Sequence, residues 1–280
     1  MQKEETMQLA KLANNIRKGA LTAVHSAKSG HPGGSLSIAD LMAYLYFHEM
    51  HVNPADPQDD TRDRFVLSKG HASPALYATL AEKGFFAKEE LLRFRHVGGL
   101  LQGHPDMKHV PGVDMSTGSL GQGISAACGM ALAAKTMNKS YRVFAVLGDG
   151  ELEEGQVWEA AMFAAHKNLD NLIAIVDNNN LQIDGKISDV CSPYPIDEKF
   201  KAFNWHVICV DNAHDFAQLD DAFVKAKAVT GKPCVIIQKS VKGKGVSFME
   251  NNADWHGAAP NDTQFEQAMA ELQAVVAVEV

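Results

Sequence analysis

The sequence contains few cysteines, and they do not occur in pairs. The four are Cys128, Cys191, Cys209 and Cys234. Disulfide frameworks and zinc clusters use cysteines at short, repeated spacings. We therefore expect neither kind of site, and we expect these residues to be buried, reduced thiols.

The chain also lacks an excess of positive charge. It has 26 lysines and arginines against 34 aspartates and glutamates, which gives a formal net charge of -8 at pH 7. Proteins that bind nucleic acid neutralise its phosphates with a basic surface. A nucleic acid is therefore not expected as a main partner.

Long apolar runs are missing from the amino terminus. The stretch "MQKEETMQLAKLANNIRKGAL" is interrupted by charges, so it predicts neither a signal peptide nor a membrane span. We expect a cytoplasmic protein with no membrane partner.

The composition and organisation of the chain indicate one domain. The 280 residues are 46% apolar and show no repeat, low-complexity tract or linker, so residues 1–280 are expected to form a single domain.

What the sequence does contain is a regular alternation of strands and helices. The stretches "YRVFAVLGD", "LIAIVDNN", "WHVICVD" and "CVIIQKS" are apolar and rich in β-branched residues, and helical stretches such as "GQVWEAAMFAAHKN" separate them. Continuous apolar strands of this kind are typical of a parallel sheet that is covered on both faces. The predicted fold class is therefore α/β, a parallel sheet with helices on both faces.

Further elements are predicted before this alternation begins. Apolar residues recur at helical spacing over 6–28, "SGHPGGS" ends that helix, and "SIADLMAYLYFHE" starts another. The stretch "RFVLSKGHASPALYATLAEKG" predicts a strand, a glycine corner and a helix. In "TGSLGQGISAACGMALAAKTM" a glycine-rich loop leads into a helix.

Polar side chains follow two of the apolar strands. Asp149 ends one, and Asp177, Asn178 and Asn179 end the next, about thirty residues later. The carboxyl ends of parallel strands meet at one edge of a sheet, where ligands bind. A site with one carboxylate, amide oxygens and backbone carbonyls suits Mg²⁺ completed by a diphosphate, with Gly150 as a phosphate contact. Taken singly, the aspartate could instead cap a helix and the asparagines form a turn.

Histidines give a second, independent signal. Four of the twelve lie beside glycine in turn-like contexts, namely His31, His71, His104 and His256. Loops at a sheet edge often present catalytic groups. A histidine can exchange protons near neutral pH or, when charged, hold a phosphate. Any one of the four could be an ordinary surface or capping residue, but four in similar corners favour a site.

The glycine-rich loop has a competing interpretation. Gly121, Gly123 and Ala126 match the spacing of the G-x-G-x-x-A dinucleotide fingerprint, and Asp149 closes the next strand. An NAD-dependent dehydrogenase is therefore the main rival enzyme. Against it, the fingerprint needs a strand directly before it, and "KHVPGVDMSTGS" contains no apolar run.

Taken together, these stretches resemble a known family. "GDG" followed after about thirty residues by "NN" is similar to the thiamine diphosphate signature. The stretches "SGHPGGSLS", "LSKGHASPALYA", "GHPD", "TGSLGQG" and "WHG" resemble transketolases specifically. The resemblance extends from about residue 10 to about residue 260. It implies a thiamine diphosphate-binding fold and transfer of a two-carbon ketol unit from a ketose, expected to be a phosphate, to an aldose.

The resemblance also implies a cofactor site. The expected ligands of Mg²⁺, or of Ca²⁺ in its place, are Asp149, Asn179 and the carbonyl of Leu181. The residues expected to contact thiamine diphosphate are His71, Gly150 and His256 at the diphosphate, Gly118 and Leu120 at the aminopyrimidine side, and Ile183 near the rings.

Catalytic roles follow from the same resemblance. Four histidines would surround the reacting carbon and exchange protons with sugar hydroxyls, namely His31, His71, His104 and His256. Glu154 would reach across a subunit interface toward the partner's cofactor-activating glutamate.

The chain departs from a full transketolase in length, since such enzymes are more than twice as long. The resemblance therefore implies the diphosphate-binding subunit of a split transketolase, active only with a C-terminal subunit that carries the pyrimidine-binding domain. An α2β2 assembly is expected because closed two-fold symmetry is common. A subunit of a 2-oxo acid dehydrogenase is the alternative within thiamine diphosphate enzymes, and the histidine-bearing loops favour transketolase.

Overall fold

The computed structural model describes residues 1–278. Its strands are β1 (Arg64–Leu67), β2 (Val143–Gly148), β3 (Leu172–Asn178), β4 (Leu181–Gln182), β5 (Gly185–Lys186), β6 (His206–Val210) and β7 (Cys234–Lys239). Five of them form one sheet in the order β1-β2-β3-β7-β6, and every neighbouring pair in it is parallel. Strands β4 and β5 form a separate antiparallel hairpin. The predicted parallel sheet is confirmed.

Helices connect and cover these strands. They are α1 (Lys3–Ala27), α2 (Pro32–Leu36), α3 (Ala39–Tyr44), α4 (Ser73–Lys83), α5 (Gln122–Thr136), α6 (Gly155–His166), α7 (Ile187–Val190), α8 (Ile196–Ala202), α9 (Phe216–Lys227) and α10 (Asp262–Val278). No helix within residues 1–278 is both long enough and apolar enough to cross a membrane.

Side chains of the central strands pack alternately on the two faces of the sheet. On β3, Ile173 and Ile175 join a core with α1, α3, α4 and α9, whereas Ala174 and Val176 join a core with α5, α6 and α8. This alternation follows from the two-residue period of a strand. Both faces are therefore covered, and the loops at the carboxyl ends of the strands are held by a rigid frame.

Two details of the amino-terminal region differ from the sequence prediction. Helix α1 ends at Ala27, but "SGHPGGS" then forms the short helix α2 rather than only a turn. Pro32 suits the first helical position, and a side chain at Gly33 would approach the Trp255 carbonyl to 2.9 Å. The next predicted helix is divided into α3 and a π-helical turn over Leu45–Glu49.

The cysteine prediction was wrong for two residues. Cys128 and Cys234 are buried, whereas Cys191 and Cys209 are exposed, and all four are free thiols. Cys209 lies on β6, which is an edge strand of the sheet, so it is covered less completely than the central strands. Cys191 directly follows the short helix α7.

Candidate active site

The carboxyl ends of β2 and β3 bring the two predicted polar stretches together. Gly148 of β2 pairs in register with Asp177 of β3, and Asp149, which follows directly, is buried. The Asp149 carboxylate accepts hydrogen bonds from the amides of Gly150 (3.0 Å) and Asn180 (2.5 Å). "GDG" and "DNNN" therefore meet in one buried corner at the sheet edge.

Oxygen atoms suited to a divalent cation surround this corner. Asn179 Nδ2 donates to Asp177 (3.1 Å), and Asn179 Oδ1 accepts from the Leu181 amide (3.1 Å). The Leu181 carbonyl accepts a hydrogen bond from Lys242 Nζ at 3.1 Å. The Lys242 ammonium group therefore contacts the Leu181 carbonyl, which is one of the predicted metal ligands.

The protonation state of Asp149 would respond to a nearby cation. Burial and the nearby Asp177 raise the pKa of Asp149 to about 7, and a divalent ion beside the carboxylate would stabilise its charged form. Carboxylate, amide and carbonyl oxygens are the ligands that Mg²⁺ accepts. Within residues 1–278, no cluster of three or more histidine, cysteine, aspartate or glutamate side chains could hold a metal. The single carboxylate with its neighbouring amide and carbonyl oxygens is chemically compatible with a hard cation such as Mg²⁺.

The structure brings the four predicted histidines close together. The His31 ring centroid lies 5.3 Å from that of His71, 6.4 Å from that of His104 and 5.5 Å from that of His256. The rings of His71 and His256 are 5.0 Å apart. His31, His71 and His256 line one cleft with Asp149, while His104 lies beside it. The four residues come from separate loops and turns, so only the folded chain assembles them.

These histidine rings are neutral near pH 7. Burial is the main cause that lowers their pKa, which falls to about 4 for His31 and about 3 for His256 and is also lowered for His71 and His104. Nearby arginine and lysine side chains add to the effect. A neutral ring donates at one nitrogen and accepts at the other. A diphosphate beside these rings would raise their pKa, so the suggested role of a charged histidine at the phosphate stays a prediction.

Two buried lysines in the cleft were missed from the sequence. Lys69 donates to Asp177 Oδ2 (2.6 Å) and to the Gly34 carbonyl (2.9 Å). Its positive charge is thus balanced by a carboxylate within the protein. The signal was present in "LSKGH", where the lysine lies two residues after the end of the buried strand β1.

Lys242 is the second missed lysine. Besides the Leu181 carbonyl, its Nζ contacts His256 Nδ1 at 2.9 Å, and burial lowers its pKa to about 8. Neither the carbonyl nor the imidazole carries a negative charge. The ammonium group of Lys242 is therefore suited to contact an anionic ligand in the cleft. Its signal was the glycine-rich stretch "SVKGKG" after the last strand.

Four other predicted residues line the cleft, namely Gly118, Leu120, Gly150 and Ile183. Gly118 has a φ of 152°, and a Cβ there would lie 3.0 Å from His104 Cδ2. The cavity volume is about 200 Å³, below the range of about 300 to 1,000 Å³ usual for small-molecule sites. Ile183 is 67% exposed. The cleft is therefore open on one side.

Glu154 does not line the cleft. It is exposed and directly precedes α6, and a Cβ at Gly121 would lie 2.9 Å from its Cβ. The predicted role of Glu154 involves a subunit interface, which lies outside a single chain, so that role stays a prediction.

The dinucleotide-binding hypothesis is wrong. Residues 101–121 form turns, bends and loop, so no strand leads directly into Gly121. A Cβ at Gly123 would lie 2.6 Å from the Ser68 Cα, which means that this glycine allows α5 to pack on the end of β1. The fingerprint requires a strand immediately before its first glycine, and this chain does not provide one.

Comparisons with known proteins agree with the transketolase resemblance. Residues 8–274 match a family model described as the thiamine diphosphate binding domain of transketolase. The chain is 44% identical to the 6-deoxy-6-sulfo-D-fructose transketolase subunit SqwG of Clostridium sp. (strain MSTE9), over 96% of this chain and 98% of that protein. It is 41% identical to one of the subunits of the apulose-4-phosphate transketolase of Phocaeicola vulgatus, over 96% of this chain and 94% of that protein.

Longer relatives match over part of their length. Human transketolase is 44% identical over 94% of this chain but 42% of its own length. The structure of transketolase from Leishmania mexicana superposes with a TM-score of 0.89 and 35% identity, over 97% of this chain and 44% of that one. The chain spans less than half of these two proteins and nearly all of the two subunits above. The resemblance to the diphosphate-binding subunit of a split transketolase is thus confirmed over the 2-oxo acid dehydrogenase alternative, and the chain belongs to the transketolase family as its thiamine diphosphate-binding domain.

Proposed function

We propose that this chain acts as a single domain that forms the diphosphate-binding subunit of a split transketolase. The assembled enzyme would transfer a two-carbon ketol unit from a ketose to an aldose. The observation that carries the proposal is the meeting of a buried, oxygen-rich corner at Asp149 with neutral histidines in one cleft. The near-complete match to two relatives named as transketolase subunits supports it.

In this proposal the Asp149 corner holds the metal and the diphosphate. Asp149, Asn179 and the Leu181 carbonyl would bind Mg²⁺, with Ca²⁺ as a substitute. Lys242 is buried without a carboxylate partner among its hydrogen bonds, so an anion would offset the energetic penalty of its burial. When bound, thiamine diphosphate supplies the carbon nucleophile that breaks the carbon–carbon bond of the ketose.

Other cleft residues would position the two ends of the cofactor. We propose that His71, Gly150 and His256 contact the diphosphate, because they surround Lys242 and Asp149 in the cleft. Gly118 and Leu120 would contact the aminopyrimidine side, and Ile183 would pack near the rings. Glycine is suited to position 118 because the Cβ of a larger residue would push against the His104 ring.

The neutral histidines would handle protons of the sugar. A neutral imidazole can take a proton from a hydroxyl at one nitrogen while it donates a hydrogen bond from the other. Their lowered pKa values keep the rings uncharged at neutral pH. We therefore assign proton exchange with substrate hydroxyls to four residues, His31, His71, His104 and His256.

We propose that a second polypeptide closes the site. The cleft is small and open, and Ile183 is exposed beside it. The partner would carry the pyrimidine-binding domain and the glutamate that activates the cofactor, with Glu154 near it at the interface. Two copies of each polypeptide form the simplest closed arrangement, α2β2.

The substrate and location are proposed on separate grounds. The residues that line the cleft include lysines but no arginine, although Arg95 lies near His31 and His104. We propose that the far end of the sugar is recognised mainly by the partner. A ketose phosphate of carbohydrate metabolism, as in the pentose phosphate reactions, is the proposed donor.

The net charge of -8 argues against nucleic acid as a partner. We also propose a cytoplasmic location without a membrane partner.

Metal-dependent cofactor binding tests the site assignment. Thiamine diphosphate is titrated into the assembled enzyme by calorimetry, first with a chelator and then with added Mg²⁺, and strong binding is expected only with Mg²⁺. Asp149→Asn should weaken binding more than Asp177→Asn, because Asp177 is occupied by Lys69 and neighbouring donors rather than facing the metal. Equal affinity with and without the metal would contradict the assignment.

Assembly is tested by assaying the chain alone and then with the product of a neighbouring reading frame that carries the missing domains. Ketol transfer at saturating thiamine diphosphate and Mg²⁺ should require both chains. A parallel assay with 2-oxo acids serves as the control for the alternative class. Full activity of this chain by itself would contradict the split-enzyme proposal.

A further inference from the structure

A buried group of hydrogen-bonded side chains lies outside the cleft and contacts the loop that carries two cleft residues. We call residues 240–257, which follow β7, the lysine–histidine loop, because they include Lys242 and His256. The group consists of Arg17 on α1, Asp40 on α3 and His214 between β6 and α9. The Asp40 and His214 side chains are only 8% and 11% exposed. The proposed function assigns none of these three residues a role.

The hydrogen bonds determine which nitrogen of His214 carries the proton. Nε2 lies 3.0 Å from the Val241 amide nitrogen, and a backbone N–H can only donate, so Nε2 accepts. Nδ1 lies 2.6 Å from Asp40 Oδ2 and therefore donates to the carboxylate. Arg17 binds the same carboxylate through both terminal nitrogens. The ring is thus held in the one tautomer that can accept from the loop.

The Asp40 carboxylate keeps its charge in this setting. Burial alone would raise its pKa, but the Arg17 guanidinium and the His214 ring hold the pKa of Asp40 well below its usual range. A charged carboxylate is a strong acceptor for Nδ1–H. Asp40 therefore orients the ring firmly.

Lys242 lies between two anchored amides. On one side the Val241 amide donates to His214, and on the other the Gly243 amide donates to the Gly33 carbonyl at 3.0 Å. The Lys242 backbone is therefore fixed from both directions. From that position its Nζ reaches the Leu181 carbonyl and His256.

We propose that His214 is a positioning residue for the cofactor site, which it serves by accepting the Val241 hydrogen bond and so fixing the backbone beside Lys242. Arg17 and Asp40 hold the ring in the required tautomer. The inference rests on the proposed function, because it concerns Lys242 as a diphosphate contact. Residues that support a binding side chain in this way determine how accurately it meets the ligand. Without the acceptor, the loop can shift and carry Lys242 away from the diphosphate.

Two variants at one position separate the two contacts of the ring. The side-chain oxygen of His214→Gln can reach the place of Nε2 and accept from Val241, whereas the shorter His214→Asn reproduces only the contact with Asp40. We expect thiamine diphosphate, titrated with Mg²⁺ into the assembled enzyme, to bind about fivefold more weakly to His214→Asn and within about twofold of wild type to His214→Gln. His48→Asn is the matched control, because His48 Nδ1 contacts the Glu5 carboxylate at 2.7 Å but does not touch the loop.

Amide hydrogen exchange gives a readout that does not depend on activity. In the wild-type chain the Val241 amide should exchange slowly although it lies in a loop. His214→Asn should lose this protection and His214→Gln should keep it, while thermal unfolding shows that both variants are folded. Rapid exchange of Val241 in the wild type would overturn the inference, and that result needs no variant to fold.

Equal cofactor affinity of His214→Asn and wild type would also overturn the inference while leaving the proposed function intact. A wild-type enzyme that does not bind thiamine diphosphate would contradict the proposed function instead. The exchange rate of Val241 would still decide whether His214 holds the loop.

Discussion

Lys69 and Asp177 form an ion pair buried beside the cleft, with Nζ 2.6 Å from Oδ2 and side chains that are 2% and 0% exposed. Ser37 and Asn179 also donate to the Asp177 carboxylate. The carboxylate therefore links the segment after β1, the end of β3 and the proposed metal ligand Asn179. A buried pair of this kind depends on both partners, since either one alone would be an uncompensated charge.

Replacing the lysine should therefore destabilise the protein strongly. Lys69→Met leaves Asp177 buried without its cation, and we expect the free energy of unfolding to fall by about 3 to 5 kcal/mol. Urea denaturation at neutral pH measures this. The control is Lys225→Met, which removes an ion pair with Asp221 whose side chains are 59% and 62% exposed, and it should change stability by less than about 1 kcal/mol. Similar stability of the two variants would mean that the buried pair is dispensable.

Two glycines of helix α5 should respond to alanine in opposite directions. A Cβ at Gly123 would lie 2.6 Å from the Ser68 Cα, whereas a Cβ at Gly129 meets nothing within 4 Å. Gly123→Ala should push α5 away from the end of β1 and lower both stability and cofactor affinity. Gly129→Ala should stabilise the chain by about 0.5 to 1 kcal/mol, because glycine is unfavourable inside a helix. Thermal unfolding compares the pair, and a neutral Gly123→Ala would contradict the close packing.

The lowered pKa values of the cleft histidines should make stability depend on pH. A histidine in the unfolded chain takes up a proton near pH 6.5. In the folded chain the pKa is about 4 for His31 and about 3 for His256. As the pH falls through 6.5, the unfolded histidines bind more protons than the folded ones, so the contribution of these rings to the free energy of unfolding decreases until about pH 3. The raised pKa of Asp149 acts in the opposite direction below about pH 7, so the histidine contribution is isolated by comparing variants. Above about pH 7 this contribution is fully present.

This dependence is measured by urea denaturation of the cofactor-free chain at about pH 7.5 and about pH 5. His31→Asn should lose less stability between these two values than wild type does. His166→Asn, which replaces an exposed histidine at the end of α6, is the control. If His31→Asn and wild type lost the same stability, the burial of the His31 ring would not control its protonation.

The histidines should also separate by role in the assembled enzyme. His31→Ala and His104→Ala should lower turnover while cofactor affinity stays near wild type. His71→Ala and His256→Ala should impair both, because a hydrogen bond to a charged group contributes about 1.5 to 3 kcal/mol. Calorimetric titration and steady-state kinetics on the same samples distinguish the two patterns. Loss of affinity in His31→Ala alone would mean that the assignments are reversed.

Much of the frame was predictable because its strands are buried on both faces. A parallel sheet of this kind gives continuous apolar runs, and the placement of "GDG" and "DNNN" at strand ends indicated the corner that the structure forms around Asp149. The four glycine-flanked histidines were also identifiable from their contexts, and their ring centroids lie within about 6.5 Å of that of His31.

Other features depend on contacts between distant segments and were missed. Lys69 and Lys242 were not identified, because their burial against Asp177 and Leu181 depends on the fold. The helix α2 was not predicted because its two glycines disfavour a helix locally. At Gly33 the close Trp255 carbonyl requires the small residue. The neutral state of the histidines likewise follows from burial, which the sequence alone does not reveal.

The cleft is assembled from both ends of the described chain, since the rings of His31 and His256 lie 5.5 Å apart. During synthesis, a chain still attached to the ribosome therefore has no complete cofactor site until the segment containing His256 has emerged and folded back. Parallel sheets form slowly because their contacts are distant in sequence, and a ligand stabilises only the state that binds it. Thiamine diphosphate would thus stabilise only chains in which the segments around His31 and His256 have come together.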